Sequence, residues 1–522
     1  MAYLVGIDLG SSSLKAAVFQ EDGTVIAKQS AANALHTPRP GWSEYDPQEV
    51  WERIVGCLQT CLASVGDCSA IRGVSISSMG EVGIPIARSG KPLTPAISWM
   101  DQRALPQLNW WAANFDRAYL LSISGMPLDP MYSIHKIMWL RDYQPDIYAS
   151  MYKWICLPDY IVFKLTGELI SSYSHASRTM VFDVHTKTWS SDLCEAAEIS
   201  TDIFPSVANS GVIAGEILPD IATLTGLPAG TPVVLGGHDH ACVAVALGLT
   251  RADEVVDSTG TGEGLAAVTA SSHLPASLAK TNRYACYPHC VPEQYLVLGH
   301  LGVIGQTLTW ITDVTGHRLE EYFLSSEAKR PLYFPFLGNP DDPLQDAGAW
   351  MGIMPSLSGA DLVSSLMESV CFWFRCNLEH YTSGYDVTLR RIWLTGGLSQ
   401  CEVLSRLKAN VLNAGLTIPH YTDLAVLGAA IVAGVGAGVY ASWDEAFARV
   451  RLPHEQIVPN DAHTAFYQAQ YAQYVHVGRA VTFYPLSPPQ AGEGDPFPPA
   501  CGGIKGGVRR SCLSQQHGEE AA

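Results

Sequence analysis

The sequence predicts a mixed α/β protein with at least two domains. Its 522 residues, 47% of them hydrophobic and 16% charged, are enough to bury more than one core. Short apolar runs typical of strands, such as 3–9, alternate with segments of helical spacing, such as 47–66 and 359–381. A strand, a turn rich in glycine and hydroxyl residues, and a second strand occur near the N-terminus and again after residue 254, which weakly indicates two similar units.

The predicted elements follow one another in an alternating order. Residues 3–9 and 14–20 are two strands joined by a tight turn, and 254–257 leads through a second such turn into 265–268. Strands and helices between and after these hairpins complete the pattern. The remaining predicted strands are 73–77, 231–235 and 391–395, and the remaining predicted helices are 134–143, 403–414 and 424–435. The last helix is rich in small residues, so we expect it to pack closely.

Composition excludes several classes of partner. Lys and Arg total 32 against 50 for Asp and Glu, a formal charge of −18, which disfavours binding to nucleic acid. The N-terminal MAYLVGIDLG has no basic region, and no apolar run is long enough to span a membrane. We therefore expect a cytoplasmic protein without membrane contact. Residues 485–522 are rich in Pro, Gly, Ser and charge, which predicts a disordered tail.

The 13 cysteines are odd in number and scattered, which predicts reduced thiols in place of a disulfide framework. Cys57 with Cys61 and Cys286 with Cys290 have close spacings, and His289 adds a third candidate ligand near the second pair. A structural zinc site remains a minor alternative, because nothing in the sequence closes a four-ligand set.

Three glycine-rich segments could hold the phosphates of a nucleotide. Phosphoryl transfer to an alcohol needs a phosphate cradle, a metal-binding carboxylate and a base. Asp8 ends the first strand and is followed by Gly10 and three serines, whose N–H groups and hydroxyls can hold phosphate, while Lys15 can add a cation. The plainer alternative is that this segment only makes a hairpin turn.

The second candidate cradle is the run from Ser258 to Gly262, with alternating hydroxyls and glycines. The third, TGGLS at 395–399, lies between a strand and a helix, where an adenine or ribose could rest on exposed backbone. An ordinary loop between strand and helix is the alternative there.

Asp239 is the candidate base. It lies in the GGHDH segment directly after the apolar strand 231–235, and α/β proteins build their sites at such strand ends. A helix N-cap and a His-Asp-His metal pair are the alternatives. None of the glycine segments has the Walker A spacing, so a P-loop nucleotidase is disfavoured.

Taken in order, these segments resemble the FGGY family of carbohydrate kinases. The resemblance covers roughly residues 3–475. The motifs that carry it are GIDLGSSSLKAAVF at the N-terminus, AISWMDQR at 96–103, SIHKIMWL at 133–140, LPDYIVFKLTGE at 157–168, SHASRTMVFD at 174–183, GGHDH at 236–240, STGTGEG at 258–264 and TGGLS at 395–399.

The resemblance implies two ribonuclease-H-like domains of the actin and hexokinase ATPase type with a cleft between them. Residues 1–245 would mainly bind the acceptor and 246–484 would mainly bind ATP. It implies ATP and Mg²⁺ as cofactors, Asp239 as catalytic base and Asp8 as the metal-binding carboxylate. The implied nucleotide-binding residues are Gly10, Ser11, Ser12, Ser13, Lys15, Thr259, Gly260, Thr261, Gly305, Gly396, Gly397 and Cys401.

For the acceptor, Glu81 matches a substrate-binding glutamate of glycerol kinase, but Gly80 replaces the adjacent arginine, which disfavours glycerol. The Met-His-Gly of xylulokinases is absent from this region too. We expect a small sugar or polyol as partner, and a homodimer is a possible assembly. The implied acceptor-binding residues are Glu81, Trp99, Asp101, Arg103, Tyr132, Asp239 and His240.

Two alternative functions would share the ancestry of these kinases without transferring a phosphoryl group to a sugar. An actin-like ATPase would need the phosphate loops without an acceptor base, and a retired sugar-binding protein would not need Asp8 and Asp239. The WMDQR and SHASRT segments count against the ATPase, and retention of both aspartates counts against the binding protein. The expected activity is therefore an ATP-dependent sugar or polyol kinase.

Overall fold

The structure is a computed structural model that describes residues 2–260, 262–322, 330–335 and 348–481. Two predictions lie outside the described residues: the role of Thr261 in the second phosphate loop, and the tail at 485–522.

The described part of the chain contains strands and helices along its whole length. Strands β1 to β23 are Tyr3–Leu9, Ser13–Gln20, Val25–Ala32, Glu44–Tyr45, Ile71–Ser78, Gly83–Ile86, Ala96–Ile97, Lys153–Cys156, Ile170–Ser172, Phe182–Asp183, Thr188–Trp189, Ser206–Ala208, Ile213–Glu216, Pro232–His238, Glu254–Thr259, Glu263–Thr269, Tyr284–Pro288, Tyr295–Gly302, Leu332–Phe334, Ala349–Met351, Arg391–Thr395, Leu416–Pro419 and His454–Ile457. Helices α1 to α17 are Pro47–Ala63, Leu105–Asn114, Arg117–Ser124, Ser133–Tyr143, Pro145–Ser150, Leu157–Thr166, Tyr173–Ser177, Ser191–Ala196, Pro219–Thr225, Asp239–Ala246, Ala276–Ala279, Ile304–Thr315, Gly359–Tyr385, Glu402–Leu412, Leu424–Gly436, Trp443–Arg449 and Asp461–Val481. Short 3-10 turns span Cys68–Ala70, Thr201–Ile203, Leu319–Glu321 and Gly397–Gln400.

The first half is built on a six-stranded sheet in the order β13-β14-β5-β1-β2-β3. The strands β1, β5 and β14 run parallel, whereas β1, β2 and β3 form an antiparallel meander. Side chains of β1 are buried on both faces: Val5 and Ile7 join a core that includes residues of α1, and Leu4 joins a core that includes residues of α15. The carboxyl ends of the parallel strands therefore meet at one edge, which carries Asp8 and Asp239.

The second half repeats this arrangement. Its seven-stranded sheet has the order β17-β18-β16-β15-β21-β22-β23, in which β18, β16 and β15 are antiparallel neighbours and β15, β21 and β22 run parallel. The hairpin β15–β16 thus corresponds to β1–β2, and its tip lies at the carboxyl end of the parallel strands. The predicted pair of ribonuclease-H-like units is confirmed.

Helix α15 lies between β22 and β23 of the second sheet in sequence but packs on the first sheet. A side chain at Gly6 of β1 would lie 2.0 Å from the carbonyl oxygen of Val426, and one at Gly428 would lie 1.9 Å from that of Cys242 in α10. These glycines let the helix backbone approach strand β1 and cross helix α10 closely. The expected close packing of this small-residue helix is confirmed. The domain boundary predicted at residue 245 stays a prediction. Helix α15 belongs to the second half of the sequence but contacts the sheet of the first half.

No helix within the described ranges is both long and apolar enough to cross a membrane. The cysteines of the same ranges, among them the close pairs Cys57 with Cys61 and Cys286 with Cys290, are free thiols. Within those ranges, no group of three or more His, Cys, Asp or Glu side chains is arranged to hold a metal.

Candidate active site

The first phosphate loop joins β1 to β2. Asn33 holds it from one side, because its side chain donates to the carbonyl of Gly10 at 2.8 Å and its backbone N–H donates to that of Ser12 at 2.9 Å. Tyr45 donates its hydroxyl to the carbonyl of Ser11 at 2.9 Å. The backbone carbonyls of the loop thus accept hydrogen bonds from the protein. Ser11 and Ser12 themselves are exposed. The segment is a hairpin turn, as the plainer alternative had it, and it also presents hydroxyls and N–H groups to the cleft edge.

Asp8 and Lys15 face each other across this hairpin, since they are register partners in β1 and β2. Asp8 is 6% exposed and accepts a hydrogen bond from the Ser77 hydroxyl at 2.9 Å. Burial raises the pKa of Asp8 to about 7, while the charge of Lys15 opposes the shift. Lys15 itself pairs with Asp423 at 3.0 Å. A cation brought by the nucleotide would therefore favour the ionised form of Asp8.

The two cradles of the second half lie against each other. Gly396 has φ +89°, and a side chain there would lie 2.4 Å from the carbonyl oxygen of Thr259 and 3.1 Å from the nitrogen of Gly260. Only glycine fits this backbone conformation and this approach. A side chain at Gly397 would meet nothing within 4 Å. The structure thus brings Thr259, Gly260, Gly396 and Gly397 together, with open space beside the backbone of Gly397.

The other two predicted nucleotide residues flank these loops. Gly305 is buried in the first turn of α12, shortly after Gly302, whose carbonyl oxygen would lie 3.4 Å from a side chain at Gly262. Cys401 is half-buried and immediately precedes α14. Their contacts with a nucleotide stay predictions.

A buried charge cluster supports the second loop. The ammonium group of Lys408 in α14 lies 2.6 Å from Asp257 and 2.6 Å from Glu263, and it donates to the Thr259 hydroxyl at 3.0 Å. Asp257, Glu263 and Lys408 are each no more than 1% exposed. The cluster joins both strands of the hairpin to the helix behind it, so it holds the loop in place. Sequence analysis missed Lys408, because an isolated lysine in a helical segment is usually exposed.

Asp239 begins helix α10 at the end of strand β14, and its side chain is 35% exposed. Burial, followed by the charge of Glu81, raises its pKa to about 7. The charge of Asp239 in turn contributes to the raised pKa of Asp8, so the two carboxylates are electrostatic neighbours. The N-cap position of α10 belongs to His238, and Asp239 accepts the N–H of His240 at 2.7 Å. This environment suits a general base that works near neutral pH.

Beside Asp239, Glu81 forms a buried ion pair with Arg178, whose guanidinium donates through Nε and Nη2. The guanidinium carbon also lies 5.3 Å from the ring centre of Tyr132 and 5.1 Å from that of Tyr287. A side chain at Gly80 would lie 2.5 Å from the Arg178 side chain, so the glycine makes room for this arginine. Arg178 is part of the SHASRT segment that carries the family resemblance, but the sequence did not predict its place in the site.

Asp101 and Arg103 form a buried ion pair. The guanidinium contacts both carboxylate oxygens of Asp101 at 2.8 and 2.7 Å, and the N–H of Ser43 donates to Asp101 at 2.7 Å. Arg103 also pairs with Glu44 at 2.6 Å and lies 3.7 Å from the ring centre of Trp42. The Asp101 side chain is 0% exposed. Acceptor contacts of Asp101 and Arg103 stay predictions, and in this conformation their polar groups hold each other.

The last two predicted acceptor residues differ in position. Trp99 is half-buried and packs against the core of the first sheet. His240 lies between the halves, since a side chain at Gly264 of β16 would come within 3.6 Å of its Cε1 atom. Burial and the charge of Arg178 lower the pKa of His240 to about 4. The ring is therefore neutral and can exchange hydrogen bonds with a sugar hydroxyl.

Comparison with known proteins identifies the family of the chain. Residues 3–246 match the N-terminal domain model of the FGGY family of carbohydrate kinases, and residues 255–437 match its C-terminal domain model. The chain belongs to the FGGY family of carbohydrate kinases. It is an ATP-dependent sugar kinase, as the resemblance implied.

The relatives of this kinase include proteins with different acceptors. A xylulose kinase of Staphylococcus xylosus is 26% identical over 480 residues, covering 90% of this chain and 98% of the relative. An autoinducer-2 kinase of Yersinia pseudotuberculosis is 28% identical over 507 residues, covering 90% and 92%. Among solved structures, a ligand-bound xylulose kinase from Lactobacillus acidophilus has a TM-score of 0.82 at 21% identity, covering 92% of this chain and 98% of that one, and supports the fold.

Proposed function

We propose that Asp239 is the general base that takes the proton from the acceptor hydroxyl as the γ-phosphoryl group of ATP is transferred to it. The observation that supports this most strongly is the position of its carboxylate. It lies at the cleft end of β14 and interacts electrostatically with both Glu81 and Asp8, and its pKa is raised to about 7. A base with this pKa is largely ionised just above neutral pH and still accepts a proton readily.

The cofactors are ATP and Mg²⁺ in this proposal. The first loop, Gly10 to Ser13, and the second loop at Thr259 and Gly260, with the open backbone of Gly397, would hold the phosphates, with Lys15 as a nearby cation. Gly305, Gly396 and Cys401 would border the nucleotide.

Asp8 fits a magnesium ion that arrives with the nucleotide. Its carboxylate is a hard oxygen ligand, and burial together with the charges of Asp239 and Asp423 raises its pKa, so a cation beside it would favour its ionised form. Magnesium in kinases usually binds one or two carboxylates together with phosphate oxygens and water, so a larger protein cluster is not needed. The ion would neutralise charge on the transferred phosphoryl group.

The acceptor is a small sugar, ketose or polyol in this proposal. Glu81, Tyr132, Trp99 and His240, together with the Asp101–Arg103 pair, would form its wall. Residues 1–245 would mainly bind this acceptor and 246–484 would mainly bind ATP. The relatives named above act on different acceptors, so a screen of pentuloses, hexuloses, alditols and aldonates is the direct route to the substrate.

Three expectations stay predictions: a cytoplasmic location, a possible homodimer and the lack of a nucleic-acid partner. An actin-like ATPase and a retired sugar-binding protein are not favoured, since family membership extends over both domains. ADP release that depends on added sugar distinguishes the kinase from an acceptor-independent ATPase.

The proposal is tested by Asp239→Asn. We expect turnover to fall by a factor on the order of 10² to 10⁴, with ATP affinity nearly unchanged, because the amide keeps the shape but is a far weaker base. ADP release with a saturating acceptor measures turnover, and calorimetric titration measures ATP binding.

Asp159→Asn is the matched control. Asp159 is 3% exposed, and burial raises its pKa to about 7, as for Asp239, but it accepts the backbone N–H of Cys156 at the start of α6 at 2.9 Å. The same chemical change there should leave turnover nearly unchanged. Near-normal turnover of Asp239→Asn would show that Asp239 is not the base.

A further inference from the structure

A hydrogen bond between the two halves ends at His238, the residue before the candidate base. The Tyr287 hydroxyl of β17 and the Nδ1 atom of His238, the last residue of β14, lie 2.8 Å apart. Tyr287 is 0% exposed and His238 4% exposed. Their rings are nearly perpendicular, at 85° with 5.5 Å between centres. This contact is therefore enclosed, and each half contributes one partner.

The surroundings determine which atom carries the proton. Burial, with the nearby charges of Arg178, His240 and His175, lowers the pKa of His238 well below its usual value, so the ring is neutral. Burial raises the pKa of Tyr287 well above its usual value, so the phenol keeps its proton. A neutral imidazole has one N–H and one acceptor nitrogen.

The second ring nitrogen settles the tautomer. Nε2 of His238 lies 3.4 Å from Asp239 Oδ1 and 3.8 Å from Glu81 Oε1. An unprotonated Nε2 would direct its lone pair toward two carboxylates, which is unfavourable. The tautomer with hydrogen on Nε2 is favoured, and in it the Tyr287 hydroxyl donates to Nδ1.

We propose that Tyr287 and His238 are positioning residues for Asp239: the phenol holds the imidazole tautomer, and the Nε2–H group holds Oδ1 of the carboxylate. The inference rests on Asp239 being the base. The N–H of His240 also donates to Oδ1 at 2.7 Å, so both donors act on one oxygen and Oδ2 is assigned to the acceptor proton. The 3.4 Å separation would shorten in the substrate complex, as catalytic hydrogen bonds commonly do.

The second half thereby contributes to the orientation of a base carried by the first. Tyr287 belongs to the sheet that carries the second phosphate loop, while Asp239 belongs to the acceptor side. A change in the relative position of the halves would loosen the Tyr287–His238 contact and release the carboxylate. Misplacement of a catalytic group by about 1 Å can lower a rate by about 10²-fold.

The test compares His238→Leu with His238→Gln, whose amide can replace the Nε2–H donor. For His238→Leu we expect kcat to fall about 10- to 100-fold while the KM values for acceptor and ATP change less than about threefold. His238→Gln should recover most of this loss. Tyr287→Phe should lower kcat by a smaller factor, about 3- to 10-fold, because the imidazole remains but its tautomer is no longer held.

A spectroscopic measurement reads the tautomer directly. In the full-length protein labelled with ¹⁵N-histidine, His238 should show an unprotonated Nδ1 and a protonated Nε2, and Tyr287→Phe should show a mixture. Tyr284→Phe is the matched control. It removes a buried hydroxyl from the same strand, where the group contacts Asn377 at 3.2 Å and not His238, and should leave kcat and the His238 signals unchanged.

Each outcome decides the question. Full kcat in His238→Leu, alongside an inactive Asp239→Asn, would overturn the positioning role and leave the base in place. Retained turnover in Asp239→Asn would instead overturn the proposed base. A rise in acceptor KM at constant kcat would make His238 a direct acceptor ligand and also overturn the inference. If His238→Leu fails to fold, Tyr287→Phe decides: unchanged kcat and an unchanged tautomer would refute the proposal.

Discussion

Arg178→Met should strongly destabilise the first half of the kinase and slow its reaction. The side chains of Arg178 and Glu81 are each 5% exposed, and the guanidinium donates to Glu81 through two nitrogens. Removing the arginine leaves a buried carboxylate without its main countercharge. Breaking a buried pair in this way costs about 3–5 kcal/mol. The charge of Glu81 raises the pKa of Asp239 whereas that of Arg178 lowers it, so the base should also be less ionised at pH 7.

The double variant Glu81→Gln with Arg178→Met separates charge from packing. Because it removes both charges, its loss of stability should be smaller than the sum of the two single losses, by a coupling energy of about 1–3 kcal/mol. Urea denaturation followed by tryptophan fluorescence gives the midpoint and slope for the wild type, both single variants and the double variant. Additive losses, or a single Arg178→Met cost under about 1 kcal/mol, would refute the role assigned to this buried pair.

The remaining predictions concern pH and backbone packing. Burial raises the pKa of Asp239 to about 7, so kcat/KM should fall about tenfold from pH 8 to pH 6 as the carboxylate becomes protonated. A pH–rate profile in which activity falls only near pH 4 would contradict this. Because the folded protein holds this proton more tightly, the wild type should lose stability relative to Asp239→Asn as pH rises from about 4 to about 7, and melting temperatures across that range check it. Gly428→Ala should lower the melting temperature, since its side chain would lie 1.9 Å from the Cys242 carbonyl oxygen and overpacking costs about 1–3 kcal/mol. The control is Gly56→Ala in α1, where a side chain would meet nothing within 4 Å. It should raise the melting temperature, because alanine has a helix propensity about 1 kcal/mol better than glycine. Equal stability of the two variants would argue against the close helix crossing.

The sequence alone determined the elements and the loops. The predicted strand 3–9 is β1, Tyr3–Leu9, and the predicted helix 424–435 is α15, Leu424–Gly436. The predicted helix 47–66 ends earlier, at Ala63. Apolar periodicity and glycine placement act over a few residues, so they can be recognised without the fold. The strand end that carries Asp239 follows from the same local pattern.

Tertiary structure decided which side chains meet. Glu81 pairs with Arg178, which is 97 residues away, and Lys408 with Asp257, which is 151 residues away. No local pattern specifies such pairs, because each depends on how two separate segments pack. The same holds for α15, whose apolar sequence predicts a helix but whose place on the first sheet depends on glycines in β1 and in the helix itself. Local chemistry therefore indicated a kinase with Asp239 at its centre, whereas the charges that tune this aspartate come from segments that only folding brings together.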